Sequence, residues 1–282
     1  MLAQVWGPLV WRVLEGVANH GDGLHTRPPS IKHAFVQTVQ LLPLVMPCSV
    51  CRAEFASLLK DGGDAVPSPP PGDPTSTDGA VRAAWAAWDP ARWLFVLHAN
   101  VQRSITQRRV RTYLKDHPGA AAKVLKSGVP TPTAVDFVTA ASIPALTFDT
   151  VKLRVQLAHG HYFSTHDLWV MLALFCGACA VLGERDADAD ADADVQARAA
   201  HVCAFAQHLA QVLVDIDLHR AVAKPLASKM CSVTADTHGK LHGKLHGKLP
   251  AHRLVVTKLC AAFGKPEREA LAMARAALVV TH

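Results

Sequence analysis

Two cysteines three apart, Cys48 and Cys51, lie in the stretch Pro47-Cys48-Ser49-Val50-Cys51-Arg52-Ala53-Glu54-Phe55. That spacing puts both thiols on one side of a helix's first turn, close enough to form a disulfide. Pro47 suits a helix start, where a missing N–H costs nothing. A thiol there feels the positive end of the helix dipole, and Arg52 adds a second positive charge. Both favour the thiolate, the form that carries out disulfide exchange. The same spacing is also half of a zinc site, so the motif alone leaves redox and metal chemistry open. A second pair, Cys176 and Cys179, repeats it in Phe175-Cys176-Gly177-Ala178-Cys179. Here the surroundings are apolar from Leu168 to Leu182, and burial keeps thiols inert. A zinc site drawn from both pairs would bridge a gap of roughly 125 residues without paired histidines, so no metal is expected. Cys203, Cys231 and Cys260 read as small buried residues.

The elements that must hold these groups are helices. Alanine, leucine and valine are abundant, and few runs alternate as a strand would, so the fold class is all-α. Residues 5 to about 18 repeat apolar residues at i, i+4 and carry Trp6, Gly7, Trp11 and Leu14. A second helix is expected over Ser30–Leu42, and Pro43 and Pro47 bracket a short connection into the C-x-x-C helix, which runs to about Leu59. Asp61 to Asp78 holds five prolines and reads as a mobile linker. Helix resumes near Ala80 or after Asp89-Pro90, with Asp89 as cap. It carries Trp93-Leu94-Phe95-Val96-Leu97-His98-Ala99-Asn100-Val101-Gln102-Arg103, in which His98 and Gln102 stand one turn apart.

Taken together and in order, these strings resemble the Erv/ALR-type FAD-linked sulfhydryl oxidases, including those of large DNA viruses. The family's Gly-x-x-x-Trp-x-x-Leu-His helix is matched by Gly7, Trp11 and Leu14. Its Pro-Cys-x-x-Cys-Arg-x-x-Phe helix is matched by Pro47, Cys48, Cys51, Arg52 and Phe55. Its Trp-Leu-x-x-Leu-His-Asn-x-Val-Asn helix is matched by Trp93, Leu94, Leu97, His98 and Val101. The resemblance covers roughly residues 5–115. Glu15 stands where the family has a flavin-contacting histidine, Ala99 and Gln102 replace two asparagines, and the family's cysteine pair after the last motif is missing.

The resemblance implies a helical bundle with FAD at its mouth and the C-x-x-C against the flavin ring. Cys51 would be the flavin-side cysteine and Cys48 the one attacked by incoming protein dithiols, with dioxygen as final acceptor and hydrogen peroxide as product. It places Gly7, Trp11, Glu15, His98, Val101, Gln102 and Arg103 at the cofactor, with Arg103, Arg108, Arg109 and Arg111 a basic run for the pyrophosphate. Cys176 and Cys179 are the candidates for the family's shuttle pair, and a homodimer or intramolecular pseudo-dimer is expected. The alternative is a catalytically inactive bundle retained as an interaction scaffold; a zinc-stabilised structural module is a third reading.

The organisation expected is an oxidase domain over 1–125, with a Pro-rich insertion at 61–89, and an α-helical domain over 130–282 for dimerisation or client binding. In the second half, helices are expected over 133–160, 165–184, Val195–Ala227, 250–263 and 266–280. The fifteen-residue apolar run is shorter than a membrane span of about 17–25 residues, so it reads as a core helix. The Asp-Ala alternation to Asp194 and the His-Gly-Lys-Leu repeats over 238–249 read as solvated loops. A net charge of +6 spread along the chain gives no nucleic-acid groove. Met1–Trp6 lacks a basic stretch followed by an apolar run, so a cytoplasmic setting is expected, host cytoplasm or virion if the chain is viral.

Overall fold

The computed structural model describes residues 3–61, 69–116, 147–158, 160–185, 189–238 and 251–279. Among them are 11 α-helices, no strand and one short 3-10 turn at Leu24–Thr26. In chain order the helices are α1 (Ala3–Ala18), α2 (Pro29–Val45), α3 (Ser49–Asp61), α4 (Gly79–Ala87), α5 (Pro90–Asp116), α6 (Phe148–Leu157), α7 (Thr165–Arg185), α8 (Ala189–Asp215), α9 (Arg220–His238), α10 (Ala251–Phe263) and α11 (Glu267–Val279). The all-α reading holds.

The apolar stripes decide how the helices stack. Val10, Val13, Leu14 and Val17 of α1 are buried, as are Phe35, Val36, Val39 and Leu42 of α2. On α8 the stripe is Val202, Phe205, Leu209, Val212 and Leu213. Each such side chain contributes about 1.5–3 kcal/mol on burial. Helix α2 packs on α8, and α1 packs on both α5 and α7. Trp6 of α1 meets Phe175 of α7 edge-on at 6.2 Å, and Phe175 meets Phe205 of α8 at 5.6 Å. The halves expected at 1–125 and 130–282 therefore share one buried core. Helix α7 has the length and composition of a membrane span over Thr165–Gly183, and 72% of that window is buried within the protein.

Some boundaries differ from the sequence expectation. Helix α2 begins at Pro29 and continues through Pro43, because Met46 N–H still reaches the Leu42 carbonyl beyond the proline. The helix expected over Val195–Ala227 is two. Helix α8 stops with Asp217 in the left-handed region at φ 59°, where Leu218 N–H bonds back to the Leu213 carbonyl and Asp217 N–H to that of Val214. This is the closing pattern that normally uses glycine. The described part of the linker, 69–78, is tied down: Trp85 Nε1 donates to the Gly72 carbonyl and Asp78 caps α4. Of the remaining expectations, residues 133–146, 186–188 and 239–249, and the side chains of Arg109 and Cys231, lie outside what is described.

One buried cation was not foreseen. Lys32 has no exposed surface, and its Nζ donates to the carbonyls of Trp85, Ala86 and Trp88 at 3.1, 2.7 and 2.9 Å. It thereby satisfies the open end of α4 and ties it to α2. Burial lowers its pKa, partly opposed by Asp89.

Candidate active site

Helix α3 begins at Ser49, so Cys48 occupies the capping position and Cys51 the third helical position. Arg52 N–H bonds to the Cys48 carbonyl at 2.9 Å, and Cys51 N–H donates to Cys48 Sγ at 3.2 Å. Sulfur here does what a serine or aspartate oxygen does at other helix starts. The two cysteines are joined as a disulfide with their Cα atoms 5.2 Å apart. Ser49 and Val50 between them are exposed, as is Leu44 at the end of α2.

Cys51 opens onto a partly open cavity of about 80 Å³ between α1, α3 and α5. Trp6, Gly7, Val10 and Trp11 of α1 form one wall, Phe55 and Leu58 of α3 a second, and Val101 and Ile105 of α5 a third. Gly7 leaves its side open, since a Cβ there would meet nothing within 4 Å. Glu54 and Arg108 stand at the polar edge, paired at 2.9 Å, with Ser104 Oγ donating to the other oxygen of Glu54. Phe55 lies 6.1 Å from Trp11, tilted at 45°.

Behind Trp11 stands His98, stacked on it with ring centroids 4.1 Å apart and planes within 12°. Its Nδ1 lies 2.7 Å from Glu15 Oε1 and its Nε2 lies 2.9 Å from Gln102 Nε2. Tyr162 Oη donates to Glu15 Oε2 at 3.2 Å, and burial, then the charge of Glu15, pushes the phenol's pKa up to about 12.

Of the residues assigned to the cofactor from sequence, Gly7, Trp11 and Val101 line the cavity with Cys51. Glu15, His98, Gln102 and Arg103 do not. Glu15 is 8% exposed and turned to His98; Gln102 points to the same ring; Arg103 is exposed and bonds to Asn100 at 3.1 Å. No ring fits between Trp11 and His98, which already touch each other. Residues missed by sequence reasoning are Trp6, Val10, Met46, Leu58 and Ile105 of the lining, and Tyr162 behind it. The i, i+4 register of Trp6 with Val10 was available as a signal; Tyr162 had none.

Cys176 and Cys179, read from sequence as a possible shuttle or a buried pair, have the surroundings expected of a buried pair. They are 0% and 1% exposed inside α7. Burial, then neighbouring Cys203, pushes the Cys176 thiol well above its usual value, and burial then Cys179 pushes Cys203 up to about 12. At that burial neither Cys176 nor Cys179 offers a surface to an incoming thiol, and the Cys176 thiol is held away from the thiolate form. Among the described residues no group of three or more histidine, cysteine or acidic side chains is arranged to hold a metal ion. Comparison with family models, curated proteins and solved structures returned no match.

Proposed function

We propose that this chain is an FAD-dependent thiol oxidase of the Erv/ALR type that forms disulfides in client proteins. The observation that carries the reading is a helix-capping disulfide whose inner cysteine lines an aromatic cavity while its outer one does not. The cavity suits the flat part of the group, with apolar rings and aliphatic chains for a heterocycle and open space over Gly7, while Arg108 at the edge is already paired with Glu54. Bound FAD would supply the two-electron acceptor that restores the disulfide and passes its electrons to dioxygen, giving hydrogen peroxide.

The chain's own residues handle the exchange. A client thiolate attacks Cys48 Sγ, the Cys48–Cys51 bond breaks, and Cys51 leaves as a thiolate beside the cavity. The client's second thiolate then attacks the client sulfur of the mixed disulfide, and Cys48 leaves as a thiolate. Two thiol protons go to solvent and two electrons remain on the pair. Cys48 is suited to be that leaving group, because the Cys51 N–H and the helix dipole both stabilise its negative charge. The exposed Leu44 and Val50 offer an approaching polypeptide an apolar flank.

The inactive scaffold is the second reading, favoured by the closed Trp11–His98 stack. Peroxide release from dithiothreitol by the FAD-supplemented protein separates the two. Wild type is expected to turn over and Cys51→Ala to fall on the order of 10³-fold or more; equal rates in both would overturn the mechanism.

A further inference from the structure

A buried carboxylate needs a reason, since glutamate is almost never found inside without a partner. Glu15 has two partners from distant parts of the chain, His98 on α5 and Tyr162 in the turn before α7. It stands one helical turn beyond Trp11 on α1, so the pair presents an indole and a carboxylate on the same helix face. His98 lies across that face, ring on ring with Trp11 and nitrogen to oxygen with Glu15. A carboxylate can only accept, so a proton must sit on Nδ1. The Nε2 then faces the Gln102 amide with its lone pair.

We propose that Glu15 is the positioning residue of the cavity: it holds His98 as the Nδ1–H tautomer, flat behind Trp11, and Tyr162 from the second half of the chain holds Glu15. The inference deepens the oxidase reading, giving Glu15 a role behind the cavity wall in place of contact with the cofactor. Tyr162 remains a phenol through neutral pH, so it stays a donor to the carboxylate. The second half of the chain thus completes the site's support without entering it. A line of contacts runs from Tyr162 through Glu15, His98 and Trp11 to Phe55, which is one turn beyond Cys51.

The test is the protonation of the His98 nitrogens, read by long-range proton–nitrogen NMR on the full chain with labelled histidine. His98→Gln assigns the signals. At neutral pH the wild type is expected to show Nδ1 protonated and Nε2 bare. In Glu15→Gln the new amide can donate to Nδ1, and an Nε2–H population should appear. A wild type protonated at Nε2 alone, or a tautomer unchanged by Glu15→Gln, overturns the inference. Should Glu15→Gln not fold, Gln102→Leu removes only the other partner and must leave Nδ1–H in place; loss of that proton there overturns it equally. A flavin titration of the same proteins judges the oxidase reading separately: wild type should bind FAD, and Glu15→Gln about tenfold more weakly. Wild type that binds no flavin but shows the expected tautomer keeps the inference and removes the oxidase.

Discussion

The two C-x-x-C motifs have identical spacing and opposite surroundings. Cys48 and Cys51 straddle a helix start, with Ser49 and Val50 exposed between them and a cavity on the far side. Cys176 and Cys179 lie in the middle of α7, and the residues between them are packing contacts. A Cβ on Gly177 would fall 2.7 Å from both the Ala270 carbonyl and the Ala274 Cβ of α11. The helix position separates them. At a first turn the backbone N–H groups are unspent and can hold a sulfur's negative charge. In mid-helix those groups are spent on the helix, and burial opposes the thiolate. Reactivity belongs to the place in the fold, and the spacing only permits it.

The sharpest way to break this contrast is alkylation of the reduced protein at neutral pH. Cys48 and Cys51 are expected to react rapidly, and Cys176, fully buried with its thiol pushed well above the usual value, on the order of 10³-fold more slowly. Comparable rates, read by mass spectrometry of the labelled peptides, would remove the distinction.

A smaller effect comes from the intervening residues. Gly177→Ala should destabilise the fold by about 1–3 kcal/mol, because both obstructing atoms belong to a packed helix. Val50→Ala, at a site 60% exposed, should stay within about 0.5 kcal/mol. Urea denaturation of the two variants measures both.

The smallest effect is on pH. His20, His208 and His219 are all held below their usual value of 6.5, chiefly by burial. His20 and His219 lie where the end of α1 meets the turn after α8. Folding prefers them neutral, so their contribution is complete above about pH 6.5 and is lost as pH falls towards their lower folded values. Replacing His219 with glutamine should flatten that part of the stability profile; an unchanged slope would show that it does not titrate on unfolding.

Much of this was legible in the sequence, for identifiable reasons. The helices follow from apolar residues at i, i+4, and Asp89-Pro90 announces the start of α5 by its chemistry. Cys51, Trp11 and Val101 were placed at one site only through the resemblance that their three short motifs carry, and they do line one cavity. The break after α8 was hidden, because Asp217 takes a conformation usually marked by glycine. Lys32 was hidden in a different way: its register with Phe35, Val36 and Val39 put it on the buried face of α2, but its carbonyl partners lie 53 to 56 residues onward. The orientation of Glu15 could not be read at all, because Tyr162 stands 147 residues away with no motif around it.

The most direct measurement is the visible spectrum of the FAD-supplemented protein, freed of unbound cofactor and titrated with a dithiol in the absence of air. The account predicts a flavin band that bleaches in the wild type and returns when air is admitted, and a band in Cys51→Ala that the dithiol does not bleach. A folded protein that retains no flavin, or a band that bleaches equally without Cys51, would contradict it.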